Sequence, residues 1–291
     1  MRLNVRSTSL RLRQFCATAG LAVVCLSSGS HARAQISYVA MFRSGAYVQT
    51  ANGNSLSATG FFFNTDLYSV NPGDFNTATM SYPGPGSPVG MTQTSPVQFH
   101  YQTPFLGDQA AMDAAYPMGT YQFDADGAAG PTTATFDYSS DHYPTSLPFL
   151  TGTNFSDLQG MNAASPFSFT FSPYGVGSGA DESDLFFTIF DNTTSTLVYN
   201  QAFLAASTPG LLLPANTLAA GHNYTYELIF SNRTQFPSSG TDFNALVGYD
   251  LRTTGGFTTS SVPEPSTVCL AGAMGLSSIG LLFRRRTPRK S

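Results

Sequence analysis

Hydrophobic and polar residues alternate along much of the chain with the period of two that is typical of β-strands. Pro166–Ser172 places three phenylalanines on one face of a strand and hydroxyl groups on the other. Residues 121–124, 133–138 and 224–230 alternate in the same way. Residues 184–190 are apolar on both faces, which indicates a central strand that is covered on both sides.

Short turn signals rich in Gly, Pro and Asn separate these runs, whereas sustained helical periodicity is lacking. The pattern predicts an all-β fold, an antiparallel β-sandwich or jelly roll. We expect a short helix near Gly107 to Tyr116, with Asp108 as its N-cap. The predicted core comes from alternating positions of three strands: Phe167, Phe169, Phe171, Leu185, Phe187, Ile189, Tyr226, Leu228 and Phe230.

The β-rich region is predicted to extend over residues 35–252. Within it, residues 81–105 are rich in Pro and Gly and are either a linker between two subdomains or one long loop. Residues 35–80 alone would form a marginal core, which favours one composite domain. Residues 253–261 are mostly Thr, Gly and Ser and predict a flexible tether.

The first 34 residues have the three parts of a secretory signal peptide. A basic start is followed by an apolar stretch, Phe15 to Leu26, and by the small residues Ala32 and Ala34. That stretch of about a dozen residues is short for a bilayer core of about 30 Å, so we predict cleavage rather than anchoring. Cleavage after Ala34 makes Gln35 the new N-terminus.

Residues 262–288 form a second segment with three parts. It begins with Val262, Pro263, Glu264 and Pro265 and continues with an uncharged apolar run, Thr267 to Phe283. The length of that run is at the lower limit for a transmembrane helix. A basic end, residues 284–290, follows, in which Arg284, Arg285 and Arg286 are predicted to act as a cytoplasmic stop-transfer signal.

These three parts, in this order, closely resemble the PEP-CTERM sorting signal of Gram-negative bacteria. The resemblance covers Ser261 to Ser291. It implies that an exosortase, a membrane-associated cysteine transpeptidase, recognises Pro263-Glu264-Pro265 and cleaves nearby, with Glu264 as the recognition determinant. It also implies a transient anchor in the inner membrane, followed by delivery to the cell surface or the extracellular space.

Charge and cysteine content limit the partners, disulfides and metal sites that the exported region can have. Residues 35–262 hold sixteen Asp and Glu but only three arginines and no lysine, which is a net charge of −13. Nucleic acids and anionic lipid surfaces are therefore excluded as partners of this region. The cysteines are Cys16, Cys25 and Cys269, so the region between the two end segments has neither disulfides nor thiolate metal sites.

No nucleophile elbow, zinc-protease motif or phosphate-binding loop occurs in the sequence, and we predict no enzymatic activity. Calcium is the one cofactor that the sequence suggests. Asp124 with Asp126 forms one acidic stretch, and Asp181, Glu182 and Asp184 form another. Each provides two or three carboxylates where calcium takes six to eight oxygens, so a solvated turn is the competing interpretation of both.

The leading hypothesis is a non-catalytic cell-surface or matrix protein that is processed by an exosortase-type enzyme and associates with extracellular polysaccharide. The fourteen tyrosines, all within residues 35–252, are the candidate sugar contacts, although most lie on alternating strands, where packing in the core or at a strand edge is the expected role. Two alternatives stay open. A secreted glycoside hydrolase needs only a suitable pair of carboxylates, and a calcium-dependent adhesion module needs one of the acidic stretches to bind the ion.

Overall fold

The computed structural model describes residues 35–127 and 130–261, and these residues form a mostly β fold. The predicted signal peptide and C-terminal helix lie outside them. The described elements are β1 (Ile36–Gln49), β2 (Leu56–Ser69), β3 (Thr77–Ser81), β4 (Val89–Ser95), β5 (Gln98–Gln102), α1 (Gln109–Ala115), β6 (Gly119–Asp126), β7 (Thr132–Tyr138), α2 (Asn154–Leu158), β8 (Phe167–Thr170), β9 (Glu182–Asp191), β10 (Thr196–Ala205), β11 (Gly210–Leu213), β12 (Asn223–Phe236), β13 (Ser238–Ser239) and β14 (Ala245–Thr258).

Twelve of these strands form one hydrogen-bonded sheet in the order β10-β9-β12-β14-β1-β2-β5-β4-β3-β6-β7-β13, and β11 pairs with β8 in a second sheet. The strand pairs are antiparallel except for β1 and β14, which run parallel at the centre of the large sheet. The predicted antiparallel-dominated β architecture is confirmed. The hydrogen bonding joins the strands of the large sheet in one series, not in two separate facing sheets.

One end of the large sheet folds over strands nearer its middle and encloses the first hydrophobic cluster. The ring of Tyr121 on β6 lies 6.3 Å from that of Phe63 on β2, and Tyr138 on β7 lies 6.5 Å from Tyr249 on β14. Strands β3, β6 and β7 therefore face β1, β2 and β14 across this cluster. We call the side of β1, β2, β12 and β14 that faces the cluster the inner face, and the opposite side the outer face.

The second hydrophobic cluster lies between the two-stranded sheet and the inner face of β9 and β12. Phe169 on β8 packs against Phe187 on β9, with their ring centroids 4.6 Å apart. Eight of the nine residues predicted as core are buried, and Phe167 is half-buried. The alternation of these strands therefore predicted the buried face correctly.

Replacing Phe169 by alanine is expected to lower the free energy of unfolding by about 3 kcal/mol, because it removes a fully buried ring from the second cluster. Urea denaturation monitored by circular dichroism measures the change. Leu212→Ala on the paired strand β11 is the control, since 61% of that side chain is exposed and its loss should cost less than about 0.5 kcal/mol. Equal effects of the two variants would contradict this placement of the core.

A layer of buried polar side chains separates the two clusters on the inner face. Arg43 follows Met41 along β1 and is only 1% exposed. Its guanidinium donates to the carbonyl of Tyr116 at 2.6 Å, contacts the carboxylate of Asp113 and lies 3.3 Å from that of Asp141. Burial opposes the charge on Arg43, but surrounding tyrosine oxygens and Asp141 outweigh it and hold the pKa of the guanidinium above its usual value.

Asn232 occupies the same polar layer on β12 and is fully buried. Its carbonyl oxygen accepts hydrogen bonds from the hydroxyls of Tyr174 and Ser183, at 2.8 and 2.7 Å. Its amide nitrogen donates to the carbonyls of His142 and Val176, at 2.7 and 2.6 Å. One side chain thus fastens two loops to the sheet, and each of its polar atoms has partners, as burial requires.

Two local predictions on the chain between β2 and β6 have different outcomes. Helix α1 is present, and the side chain of Asp108 caps it by accepting from the N–H of Ala111 at 2.8 Å. The prediction of a linker or long loop at residues 81–105 is wrong, because β4 and β5 lie within it. Thr92 pairs with His100 between these strands, so cross-strand hydrogen bonds order a segment whose composition indicated a loop.

The predicted tether at residues 253–261 is also wrong. Residues 253–258 continue β14, which pairs there with β12. Thr253 is fully buried, and the glycine at position 255 lets the ring of Tyr226 approach within 2.5 Å of where a Cβ would lie. The small residues that suggested flexibility instead make room for aromatic rings of the neighbouring strand.

Candidate functional site

The residues predicted to direct sorting lie beyond the part of the chain that the structure describes. They are the signal-cleavage residues Ala32 and Ala34, the motif Val262, Pro263, Glu264 and Pro265, and the stop-transfer residues Arg284, Arg285 and Arg286. Gln35 is the first described residue, and its amide donates to the carboxylate of Asp242. Within residues 35–127 and 130–261, no helix is long and apolar enough to cross a membrane.

The chain leaves the described domain from the end of β14, directly before the predicted motif. Thr259 follows β14 and is 2% exposed. Its N–H donates to the carbonyl of His222 at 3.1 Å, and its hydroxyl donates to the carbonyl of Ala219 at 2.7 Å. Thr259 is thereby held inside the loop that precedes β12.

Ser260 is held in the same way by backbone hydrogen bonds. Its N–H donates to the carbonyl of Met161 at 2.9 Å, and its own carbonyl accepts from the N–H of Gly221 at 3.0 Å. We call this set of contacts the terminal clasp: Thr259 and Ser260 with Met161, Ala219, Gly221 and His222.

The terminal clasp limits the distance between the folded domain and the predicted motif. Only Ser261 and Val262 separate Ser260 from Pro263. A fully extended chain advances at most about 3.6 Å per residue, so the Cα of Glu264 lies within about 14 Å of that of Ser260. An enzyme that binds Glu264 therefore approaches the folded domain closely.

A side-chain contact at hydrogen-bond distance between His222 and Asp191 supports the loop that forms one side of the terminal clasp. The imidazole Nδ1 of His222 lies 2.8 Å from the carboxylate of Asp191, which is 4% exposed. The other carboxylate oxygen of Asp191 accepts from the backbone N–H groups of Thr193 and Thr194, at 2.8 and 3.2 Å. Burial opposes ionisation, but these hydrogen bonds outweigh it, and the pKa of Asp191 lies below its ordinary value.

The lowered pKa of Asp191 predicts how acid affects this end of the domain. The ionised carboxylate stabilises the fold at pH values above its unfolded pKa of about 3.9, and this contribution is lost as the pH falls through the lower folded value. We expect Asp191→Asn to lower stability at pH 7 and to flatten its loss between pH 5 and pH 3. Urea titrations of wild type, Asp191→Asn and the exposed control Asp157→Asn test this. A pH dependence that is unchanged in Asp191→Asn contradicts it.

The carboxylates of the second acidic stretch, Asp181, Glu182 and Asp184, have basic or backbone partners within the domain. The guanidinium of Arg233 contacts the carboxylate of Asp184 and lies 3.0 Å from that of Glu182. A carboxylate oxygen of Asp181 accepts from the backbone N–H of Gln235 at 2.7 Å. These carboxylates are thus compensated by one arginine and one backbone donor.

The first acidic stretch lies on β6. Asp124 accepts hydrogen bonds from the hydroxyl of Thr133, at 2.6 Å, and from the amide of Gln122, at 2.8 Å, while Asp126 is exposed at the end of the strand. The described residues contain no group of three or more His, Cys, Asp or Glu that could hold a metal ion. Calcium binding at either stretch stays a prediction.

A polar network missing from the sequence-based expectations occupies the outer face where β12, β14 and β1 meet. Arg252 lies 3.5 Å from the carboxylate of Glu227 and 2.9 Å from that of Asp250. The hydroxyl of Ser44 lies 3.4 Å from the same oxygen of Asp250. Burial raises the pKa of Glu227, and Arg252 opposes that effect.

A second polar group lies on the outer face of β2 and β5. The carboxylate of Asp66 lies 2.8 Å from the Nδ1 of His100 and accepts from the amide of Gln98 at 2.7 Å. Beside it, the rings of Tyr38 and Tyr68 stack at 4.5 Å, and Gln98 also donates to the hydroxyl of Tyr68 at 3.1 Å. We call these five residues the outer-face patch.

The tyrosines, the candidate sugar contacts, lie mostly within the core or along the strands. All fourteen lie in the described residues, and none of them is exposed. Seven are buried: Tyr82, Tyr116, Tyr121, Tyr138, Tyr224, Tyr226 and Tyr249. The stacked pair Tyr38 and Tyr68 is half-buried, so the outer-face patch keeps part of its aromatic surface accessible.

A family model described as the PEP-CTERM protein-sorting motif matches residues 261–286. This match confirms the resemblance stated from the sequence, and it begins one residue after the terminal clasp ends. The chain thus carries the sorting motif of an exosortase substrate, and the motif implies export and transient membrane anchoring. No curated protein sequence matches the chain.

Among solved structures, the chain is similar to the BSP domain of a biofilm associated protein, with 10% identity over 79% of this chain and 30% of that one, at a TM-score of 0.20. The chicken CNTN1 FN1-FN3 domains match with 10% identity over 69% of this chain and 63% of that one, at 0.24. A tetra-tandem repeat from the extending region of a large adhesion protein matches with 13% identity over 75% and 49%, at 0.20. The chain spans less than two thirds of each structure, and TM-scores this low do not establish a common fold.

Proposed function

We propose that this chain is a non-catalytic cell-surface or matrix protein whose exported β domain associates with extracellular polysaccharide after an exosortase has processed its tail. The observation that carries the proposal is the sorting motif at residues 261–286. A protein that is exported, anchored and then processed is placed where its partners are extracellular polymers. The domain therefore needs a surface that suits such a polymer.

The charge of the domain supports a neutral polysaccharide over other polymers. Residues 35–262 have a net charge of −13 and no lysine, so nucleic acids and acidic polymers are repelled. Neutral sugars instead bind through hydroxyl hydrogen bonds and through the faces of aromatic rings. This requirement favours a patch that combines both kinds of group.

The outer-face patch combines both. Tyr38 and Tyr68 supply aromatic surface beside the carboxylate of Asp66, the amide of Gln98 and the ring of His100. Gln98, whose amide lies 3.1 Å from the Tyr68 hydroxyl, and His100 are half-buried and provide polar groups beside the rings, whereas Asp66 is only 1% exposed and holds these two side chains in place. We therefore assign the polysaccharide contact to this patch.

The carboxylates of the outer face have polar or charged side-chain partners, which supports a binding function over hydrolysis. Glycoside hydrolysis requires one carboxyl group as acid and a second as base or nucleophile. Glu227 and Asp250 share Arg252 as a partner, and Asp66 is engaged by His100 and Gln98. Such engaged carboxylates suit a fixed polar surface.

Co-sedimentation with the exopolysaccharide of the source bacterium tests the proposal. We expect the chain to pellet with the polymer and Tyr38→Ala/Tyr68→Ala to bind about tenfold more weakly, as loss of two ring contacts predicts. Tyr199→Ala, a half-buried tyrosine on β10, is the matched control and should bind like wild type. Failure of the wild-type chain to pellet, or equal loss in the control, contradicts the proposal.

A further inference from the structure

We propose that the end of the domain from which the tail leaves is a membrane-facing surface that rests on lipid headgroups while the chain is anchored. The inference depends on the anchoring of the tail in the proposed function. It concerns the loops at residues 50–55, 152–165, 191–195 and 214–222, which we call the exit end. The partner is the lipid surface itself.

The described contacts bring the four loops of the exit end together. The amide of Asn52 donates to the hydroxyl of Ser156 at 2.9 Å, which joins the first two loops. The N–H of Asn216 donates to the carbonyl of Ala163 at 2.9 Å, which joins the second and the fourth. The third loop is joined to the start of β12 by the N–H of Asn192, which donates to the carbonyl of Asn223 at 2.8 Å.

The terminal clasp fixes the exit end next to the membrane. Ser260 is the last residue that the clasp holds, and Thr267, the start of the apolar run, is seven residues further along the chain. Those seven residues span at most about 25 Å when fully extended. A domain of this size has a radius of gyration of about 17 Å, so the connection is shorter than the domain is wide. The exit end of the anchored domain is therefore held within about 25 Å of the bilayer.

The charge distribution suits the same orientation. The exit end contains only two of the sixteen Asp and Glu of residues 35–262, Asp157 and Asp191, and no Arg or Lys. Counted with neutral histidine, these two carboxylates give the exit end a formal charge of −2, which leaves −11 of the −13 on the rest of residues 35–262. Ser, Thr and Asn make up much of the remaining surface of these loops. The net charge of −13 predicts that the domain as a whole is repelled by anionic lipid, but this weakly charged polar end can approach headgroups with less repulsion than the rest of the domain would meet.

Fluorescence quenching in vesicles tests the orientation. The full chain without its signal peptide, carrying Cys269→Ser, receives one labelled cysteine at Asn54 in the exit end or at Asn76 near the far end of β2. Both asparagines are exposed, and about 40 Å of strand separates them. Each variant is reconstituted in vesicles of neutral and anionic phospholipids that contain a headgroup spin label. We expect quenching at Asn54→Cys to be at least twice that at Asn76→Cys.

A second variant checks that the short connection causes the difference. Ten Gly-Ser residues inserted between Ser261 and Val262 should bring the two quenching values close to each other. Equal quenching in the chain without the insertion, or a difference that persists with it, overturns the inference. Flotation of the vesicles distinguishes a failure of this inference from a failure of the proposed function. A chain that does not float with the vesicles is not anchored by its tail, and in that case the inference and the proposed function are both wrong.

Discussion

Replacing Glu264 by alanine is expected to abolish processing of the tail, so that the full-length form accumulates in the inner membrane. Glu264 is the only acidic residue in residues 253–291 and lies between Pro263 and Pro265, near the start of the matched motif. It stands outside the apolar run Thr267 to Phe283, so insertion of that run should not depend on it. The variant therefore separates recognition of the motif from anchoring.

Immunoblots of membrane and extracellular fractions from a host that has its exosortase measure this effect. Ser266→Ala is the matched control, since it alters a neighbouring side chain without changing charge and should be processed like wild type. Replacing Arg284, Arg285 and Arg286 by serine should instead release an unprocessed form, because the stop-transfer charge is lost. Normal trimming and delivery of Glu264→Ala would show that the tail is only an anchor.

The second large effect is expected in the polar layer of the inner face. Asp113→Asn/Asp141→Asn removes both carboxylates that face the buried guanidinium of Arg43. A buried charge left without compensation costs about 3–5 kcal/mol, and we expect a loss at the upper end of this range. The loss is comparable with the whole stability of many domains, so partial unfolding at 37 °C is expected.

A thermodynamic cycle identifies the cause of this loss. Arg43→Met should cost less than the double aspartate variant, because Asp113 and Asp141, with 43% and 22% of their side chains exposed, can be hydrated once the arginine is gone. Adding Arg43→Met to the double variant should then restore part of the stability. Urea denaturation provides the four free energies. A triple variant less stable than the double variant contradicts the argument.

Local patterns in the sequence predicted the parts of the fold that depend on neighbouring residues. The alternation in residues 166–172 and 224–230 identified the buried faces of β8 and β12, and Asp108 identified the start of α1. β1 was harder to identify, because its inner face carries the polar residues Arg43 and Gln49 among apolar ones. Its alternation is broken where the strand crosses the polar layer.

Composition was misleading where non-local pairing decides the structure. The Thr, Gly and Ser residues at 253–258 suggested a tether, but β12 and the ring of Tyr226 order them. The Pro-rich segment at 81–105 contains β4 and β5, which pair with each other as a hairpin, and β5 also pairs with the earlier strand β2.

The candidate sites also differ in whether neighbouring or distant residues form them. The sorting motif is a contiguous string of residues, so the sequence was sufficient to predict it. The terminal clasp joins Met161, His222 and Thr259, and the outer-face patch joins β1, β2 and β5. His222 and Asp191 are 31 positions apart, and only the pairing of β9 with β12 brings them together. No local signal in the sequence marks such contacts.

The intact mass of the protein recovered from the cell surface tests the central claim, sorting by the tail, most directly. The account predicts a chain that begins at Gln35 and has lost the apolar run Thr267 to Phe283 together with the basic residues that follow. The same mass also shows whether the signal peptide was cleaved after Ala34, because that cleavage makes Gln35 the first residue. A surface form whose mass still includes residues 267–291 would contradict the account.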